Sequence, residues 1–469
     1  MSLKKGSEVT ITIEAAAFKG KGLGKFEGLA IFVPGTTPGD IVQTRLITKK
    51  KNHAEGKLLK IINPSPHRIA PLCQHANICG GCSWQHIPYH KQLEFKTQQV
   101  KDHISRIGKL DESLVKPAIG CETPFYYRNK MEYSISNRRW LTDAEINSET
   151  FVDDSGLSAG LHAPGRFDKI LNLNECHLQR PESFQILDFV RNYCLEHNIP
   201  PFDSFSVDGY IRHVVIRTAY HTPDFMVNIV TFKDEPGTIK ALAEALLAAF
   251  PVITTIVNNI NDQRTPTAVG RYEKVIYGPG YIVDNIDDFS FKIHPNAFFQ
   301  TNTAQAEKLY SVAREFADVK PGDVIYDLYC GVGTLSLFMS KQAAQVVGIE
   351  LVDVAVENAK YNAKENGVEN VAFIKGDMRE VFNAVVVDKY GAPDVLITDP
   401  PRAGMHPDVV KRLCELSVPR LVYVSCDSST MARDLKELAS VYDTLEIQPV
   451  DMFPQTYHIE TVAKLRLKK

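Results

Sequence analysis

Along residues 8–62, apolar and polar positions alternate in short runs, "VTITIEAAAF", "LAIFVPG", "DIVQTRLITKK" and "EGKLLKIIN", set apart by stretches such as "KGKGLGKFEG". Alternation puts every second side chain on one face, so these runs predict short strands, and their Gly and Pro punctuation predicts a small five-stranded barrel. "NPSPHR" at 63–68 reads as the linker that ends it. The pattern then changes. A helical stretch is predicted over roughly 89–107, and residues 125–232 supply strands such as "YRNKMEYSISN", "YIRHVVIRTAY" and "FMVNIVTF". "IKALAEALLAAF" (239–250) has the spacing of an amphipathic helix, and "VITTIVNNIN" returns as a strand, so this middle part is α+β. The polar segment 141–159 reads as a hairpin excursion within it.

From about residue 286 strands and helices alternate. "DVIYDLYCGVG" leads to "TLSLFMSK", "QVVGIE" to a helix at 353–366, "VAFIKGD" to another, and "DVLITDPPRAG" and "RLVYVSC" repeat the rhythm. Val352, Ala355, Val356, Ala359 and Ala363 fall on one helical face, which Gly367 ends. Such alternation predicts a doubly wound, Rossmann-like parallel sheet. Three domains are therefore expected: a small β-barrel at 1–66, an α+β domain at 67–285 and an α/β domain at 286–469.

Composition narrows the class. At 469 residues the chain exceeds what one core supports, and no apolar run is long enough to span a bilayer. The opening "MSLKKGSEVT" has lysines with no apolar run behind them, so no secretory signal and a cytoplasmic location are expected. Nine cysteines in such a chain point to metal ligation or catalysis rather than disulfides. The net charge of −3 hides an asymmetry: residues 1–60 carry eleven Lys and Arg against five Asp and Glu. A basic β module of this kind suits RNA phosphates.

Candidate chemistry gathers at the ends of the C-terminal strands. "DLYCGVGTLS" (327–336) is a strand-to-helix turn where Gly331 lets a ligand approach the backbone, with Tyr329 in the same loop. Glu350 ends the next strand, about 20 residues on, where a carboxylate can bind ribose hydroxyls. The loop is GVG, short of the full dinucleotide fingerprint, and strand four ends in "TDPPRAG", a corner like that of S-adenosylmethionine (SAM) methyltransferases. Asp399 stands there where amine methyltransferases have Asn, so an exocyclic amine target is disfavoured. Asp377 ends strand three, near the adenine in this fold or a plain helix cap, and "NAFFQTN" (296–302) brings Gln300 beside Phe298 and Phe299. "LVYVSCDSST" ends strand five on Cys426. The last strand, "ETVAKLRLK", begins at Glu460 and is expected to insert antiparallel beside strand five, which would put thiol and carboxylate on one lip.

Cys73, Cys79 and Cys82 form C-x5-C-x2-C and call for a fourth ligand, with Cys176, Cys121 and Cys194 as candidates. A redox pair, zinc and a [4Fe–4S] cluster are each compatible, and the single knuckle with irregular spacing suits the cluster. "FYYRNKMEY" (125–133) interleaves Arg128 and Lys130 with aromatics, as an RNA-facing strand would.

"GVGTLSL", "DPPRAG", "VYVSCDSSTMARDL" and "HIETVA" resemble the RNA uracil-C5 methyltransferases that form 5-methyluridine, of the TRAM-containing, iron–sulfur, 23S ribosomal RNA type. The resemblance spans essentially the whole chain, the N-terminal barrel being similar to the TRAM RNA-binding module. It implies SAM as methyl donor, Cys426 as nucleophile toward C6 of the uracil and Glu460 as the base that removes the C5 proton. It also implies SAM contacts from Gln300, Tyr329, Glu350 and Asp399, and a structural [4Fe–4S] cluster with Cys176 as fourth ligand; Phe298 is a candidate RNA contact, although core packing would explain it and Phe299 without any ligand. Thr334, where some relatives have Asn, receives no role. A monomer acting on ribosomal RNA is expected, with the tRNA T-loop as the alternative substrate. RNA cytosine-C5 methylation is disfavoured because "DPPRAG" holds no second cysteine, and a non-catalytic RNA-binding scaffold because Cys426, Glu460 and the loop are all intact.

Overall fold

Five strands close the N-terminal barrel: β1 (Glu8–Ala16), β2 (Gly22–Phe26), β3 (Leu29–Val33), β4 (Ile41–Lys49) and β5 (His53–Asn63), in the order β1-β2-β3-β5-β4. The computed structural model describes residues 3–148, 156–166, 168–380 and 384–469. Alternate residues Val9, Ile11 and Ile13 of β1 meet Ile31, Val33, Val42, Leu46 and Ala54 in the barrel core. At ~1.5–3 kcal/mol for each fully buried aliphatic, this small core is what the period-two pattern encodes. The "NPSPHR" stretch is fastened rather than loose, since buried Asp40 accepts the Ser65 N–H at 2.8 Å and pairs with Arg68 at 2.8 Å. Helix α1 (Tyr89–His103) follows and runs on through a π turn at Ile104–Gly108.

By contacts the chain divides into two units, one of Met1–Ala70, Ser83–Pro124 and Gln305–Lys469, the other of Pro71–Cys82 and Phe125–Ala304. The second unit holds a seven-stranded sheet in the order β12-β11-β10-β9-β6-β7-β8. Its strands are β6 (Lys130–Ser136), β7 (Ser158–His162), β8 (Ile170–Asn172), β9 (Ile211–Thr218), β10 (Phe225–Thr231), β11 (Thr255–Ile260) and β12 (Tyr272–Tyr277). The short α2 (Asp143–Ile146) precedes β7, and the expected hairpin at 141–159 lies partly outside the described residues. Helices α3 (Pro181–Glu196) and α4 (Pro236–Ala249) cover the sheet, with Ile186, Val190, Leu242 and Leu246 packed against Tyr133, Val214, Ile216 and Val227. A separate hairpin, β13 (Ile282–Ile286) and β14 (Phe289–Ile293), completes the elements of this unit.

After α5 (Thr303–Ala317) comes the second seven-stranded sheet, ordered β17-β16-β15-β18-β19-β21-β20. Strands β15 (Val324–Leu328), β16 (Gln345–Glu350), β17 (Val371–Lys375), β18 (Val395–Thr398) and β19 (Arg420–Ser425) are parallel. They alternate with α6 (Thr334–Ser340), α7 (Asp353–Glu365), α8 (Ala384–Tyr390), α9 (Pro407–Leu416) and α10 (Ser428–Leu438). Strands β20 (Tyr442–Val450) and β21 (Glu460–Leu467) end the chain, with β21 inserted antiparallel between β19 and β20. On α7, Val356, Ala359 and Ala363 are buried as the periodicity predicts, but Val352 precedes the helix and is exposed. Val100 and Ile104 from the α1 region join Tyr423, Met431 and Ile447 in this core.

Candidate active site

Ser425 pairs with Thr461 across β19 and β21, so the next residues outward, Cys426 and Glu460, stand at neighbouring strand ends. The polar residues after Cys426 have local duties. Ser425 Oγ accepts the Asp427 N–H at 3.1 Å, and the Asp427 carboxylate caps α10 by accepting the Ser429 N–H at 2.9 Å. With its neighbours turned into a cap, the thiol is left half-buried on a cavity of about 320 Å³. Lys19, Gln99, Arg402, Tyr457 and His458 line the same cavity.

Burial dominates the electrostatics. It pushes the Cys426 thiol up to about 11, helped by the charges of Glu460 and Asp399 and opposed by Arg402, which also hydrogen-bonds the sulfur. Glu460 rises to about 8 through burial and Asp399, again opposed by Arg402. Asp399 rises to about 7 through burial and Asp327. Asp327 is likewise raised to about 7 by burial, with Glu350 adding to the rise, although the Ser336 hydroxyl donates to it at 2.5 Å. Four carboxyls from β16, β15, β18 and β21 thus line the sheet's C-terminal edge, repelling one another's charge.

The loop after β15 is shaped by backbone needs. Tyr329, Gly331 and Gly333 all have positive φ, and a Cβ on Gly333 would lie 2.6 Å from the Phe373 ring. Glu350 ties this loop to its own strand end, accepting the Gly331 N–H at 3.1 Å, the Leu351 N–H at 2.8 Å and the Val352 N–H at 2.9 Å. Its carboxylate has further lone pairs for a hydroxyl. Asp377 follows β17 and is held down to about 2 by Arg379, whose backbone and Nε both donate to it at 2.9 Å.

Arg402, in "DPPRAG", carries no sequence signal of its own; the fold brings it to Cys426 and Glu460. Its loop is fastened to α10, where buried Asp434 accepts the Met405 N–H at 2.9 Å and the Tyr423 hydroxyl at 2.7 Å. The segment leading into β21 is held by α1. Fully buried Lys96 lies 2.6 Å from Asp451 and donates to the Phe453 carbonyl at 3.1 Å, while Gln92 bonds both the side chain and the N–H of Gln455 at 3.0 Å. No sequence motif marks Lys96, Asp451, Gln92 or Gln455.

Other expected site residues lie in the second unit. Gln300 is half-buried and its carbonyl accepts Asn129 Nδ2 at 2.7 Å; Phe298 is 69% exposed, whereas Phe299 packs on Phe291. Lys130 is half-buried on interior strand β6 and ion-paired with Glu132, and Arg128 acts on Cys176 through its charge.

Cys73, Cys79, Cys82 and Cys176 are all half-buried in this unit. Burial raises Cys73 to about 11 and Cys79 to about 12, with Cys176 adding to both. Cys176 accepts the backbone N–H groups of Leu178 and Gln179, and the Gly81 N–H lies 3.3 Å from the Cys79 sulfur. These amide donors fit thiolate chemistry. Among the described residues no group of three or more His, Cys, Asp or Glu side chains is found that could hold a metal ion. Of the alternatives, Cys121 belongs to the first unit and bonds the Thr123 carbonyl, and Cys194 is buried in the α3 core.

Comparison with known proteins agrees with this geometry. The TRAM domain profile matches residues 2–59, and the tRNA (uracil-5-)-methyltransferase profile matches residues 267–468. An uncharacterised RNA methyltransferase of Bacteroides thetaiotaomicron is 40% identical over 96% of this chain and 100% of its own length. Another from Porphyromonas gingivalis is 41% identical over 96% of this chain and 98% of its own. The crystal structure of Pyrococcus abyssi tRNA (uracil-54, C5)-methyltransferase in complex with S-adenosyl-L-homocysteine superposes with a TM-score of 0.75 at 28% identity, covering 97% of this chain and all of that one. The chain therefore belongs to the SAM-dependent RNA (uracil-5-)-methyltransferases, with a TRAM domain at its N-terminus.

Proposed function

We propose that the cavity at Cys426 receives a single uracil base flipped out of RNA and that the enzyme methylates its C5 through a covalent adduct. Uracil C5 is a weak nucleophile by itself. The Cys426 thiolate adds to C6, its electron pair forming the C–S bond while the C5=C6 pair moves to C5 and the adjoining carbonyl. SAM, when bound, supplies the methyl group that C5 takes up. Glu460 then accepts the C5 proton, and the released pair re-forms C5=C6 as the C–S bond breaks. The observation that carries this reading is Cys426 and Glu460 at paired strand ends, with Cys426 lining the cavity.

The raised pKa of Glu460 suits a base, since the proton it gains is held firmly enough to be retained through elimination. Arg402 opposes the burial that disfavours the Cys426 thiolate. Tyr329, Gly331, Glu350, Asp377 and Asp399, on the C-terminal edge of the sheet, are the residues that would hold SAM, Glu350 by its ribose hydroxyls. RNA carrying 5-fluorouridine tests the adduct directly, because fluorine cannot leave as a proton. A denaturation-resistant complex with wild type is expected; its absence in active protein would overturn the covalent route.

The substrate in this reading is large-subunit ribosomal RNA, in the cytoplasm, supported by the basic TRAM barrel and the four-cysteine segment. The tRNA T-loop is the second reading, favoured because the Pyrococcus abyssi tRNA enzyme matches the chain almost end to end. Mass mapping of 5-methyluridine in RNA from a deletion strain separates them. A [4Fe–4S] cluster on Cys73, Cys79, Cys82 and Cys176 is also proposed, supported by four sulfurs in one unit with amide donors at two of them. No step of methyl transfer runs through it. Iron and acid-labile sulfide in anaerobically purified protein are expected; stoichiometric zinc without iron would overturn the assignment.

A further inference from the structure

A basic turn of the N-terminal barrel reaches the cavity that holds Cys426. Between β1 and β2 the chain makes a tight turn, closed by the Gly20 N–H on the Ala17 carbonyl at 3.1 Å and the Ala17 N–H on the Lys21 carbonyl at 2.7 Å. Lys19 sits at its tip in the left-handed region, φ 63° and ψ 26°, a conformation that a lysine adopts only where its surroundings impose it. The surroundings are visible. Buried Trp84 donates its indole N–H to the Gly20 carbonyl at 3.2 Å, and a Cβ on Gly20 would stand 3.0 Å from the Tyr457 ring and 3.1 Å from the Trp84 nitrogen. Only glycine lets the turn seat this closely, and the seated turn brings exposed Lys19 into the lining of the cavity with Cys426, Arg402 and His458.

We infer that Lys19 binds a phosphate flanking the target uridine and so fixes the flipped base against Cys426. The inference rests on the uracil reading above. At about 320 Å³ the cavity is near the lower end for ligand pockets and suits one base with its sugar. A flipped base stays joined to its strand through two phosphates, which must come to rest at the rim. Arg402, also exposed, is already engaged with the Cys426 sulfur, which it hydrogen-bonds, and with the charge of Glu460. Lys19, exposed and carried on the barrel, supplies positive charge at the rim, where the strand must pass. The barrel then does more than add affinity: it contributes a positioning residue to the site.

The test separates positioning from bulk charge. Lys19→Ala, Lys19→Arg and a control, Lys60→Ala, remove or keep one barrel cation; Lys60 is exposed on β5 and does not line the cavity. Single-turnover methyl transfer at saturating RNA should fall about tenfold or more in Lys19→Ala, recover in Lys19→Arg and be unchanged in Lys60→Ala. The salt slope of RNA binding in Lys19→Ala should also lessen by ~0.7, one single-strand phosphate contact. Gly20→Ala, which keeps the lysine but pushes on Tyr457, should slow the same step, with unfolding temperature measured alongside. A Lys19→Ala enzyme as fast as wild type at saturating RNA, or indistinguishable from Lys60→Ala, overturns the role of Lys19 and leaves the uracil reading intact. Wild type that forms no 5-methyluridine on any RNA overturns both.

Discussion

Cys426 and Glu460 carry opposite demands: each is drawn toward its neutral form by burial, yet the proposed chemistry needs both charged in turn. Cys426→Ala should abolish transfer while leaving SAM binding nearly intact, as measured by calorimetry with SAM alone; substantial residual activity would refute the thiol's role. Glu460→Gln should still form the adduct but release product roughly 10²–10⁴-fold more slowly, the usual worth of a positioned base. A gel-stable enzyme–RNA species should build up with ordinary substrate. The pH behaviour follows from the signs. The Glu460 carboxyl is raised from 4.5 to about 8, so between those values the folded protein holds a proton that the unfolded chain has released. Stability therefore falls as pH rises through that window, and Asp399 and Asp327, raised to about 7, act the same way. Glu460→Gln should accordingly gain stability relative to wild type at pH 8 and gain less at pH 5 in urea unfolding. Turnover in wild type should climb with pH through about 8, as the base form appears.

At the scale of elements, the site depends on α1 as much as on the sheet. Lys96 and Asp451 form an ion pair with both side chains fully buried, and it anchors the segment that ends in Tyr457, His458 and Glu460. Lys96→Met leaves a buried carboxylate without its cation and should cost about 3–5 kcal/mol in urea unfolding. If the loss were below 1 kcal/mol, the pair would not be holding the segment. The sequence predicted α1, β19 and β21 within a few residues, because their apolar periods are strong. It also placed β21 beside β19, since the fold class dictates that insertion. The anchoring by Lys96, Gln92 and Gln455 was not legible, because these partners lie more than 350 positions apart and no period links them.

For the whole molecule, the barrel and the Cys426 cavity share one unit, and that changes what removing the barrel should do. Taken by its composition alone, the basic N-terminal barrel is an RNA-binding module, and deleting it as such a module would weaken RNA binding without touching the chemical step. The seating of Gly20 on Trp84 and Tyr457 leads to another outcome. Deletion of 1–62 should weaken RNA binding and flatten its salt dependence, and should also slow single-turnover transfer at saturating RNA. SAM affinity should barely move in the same protein. An unchanged single-turnover rate would return the barrel to a pure affinity role.

What the sequence determined by itself was whatever repeats with a local period or sits at a strand's end: the barrel's alternation, the strand–helix rhythm, the glycine loop, and the positions of Glu350, Asp399, Cys426 and Glu460. Local rules suffice there, since a strand end in this fold is a site whatever the rest of the chain does. Tertiary structure decided the remainder. It turned Arg402 toward the thiol, brought Lys19 into the lining of the same cavity, buried Lys96 under the segment before β21 and half-buried Arg128 and Lys130. Each of those outcomes depends on which distant surface a side chain meets, and a charge or an aromatic in sequence reads the same whether it meets solvent, a carboxylate or a sulfur.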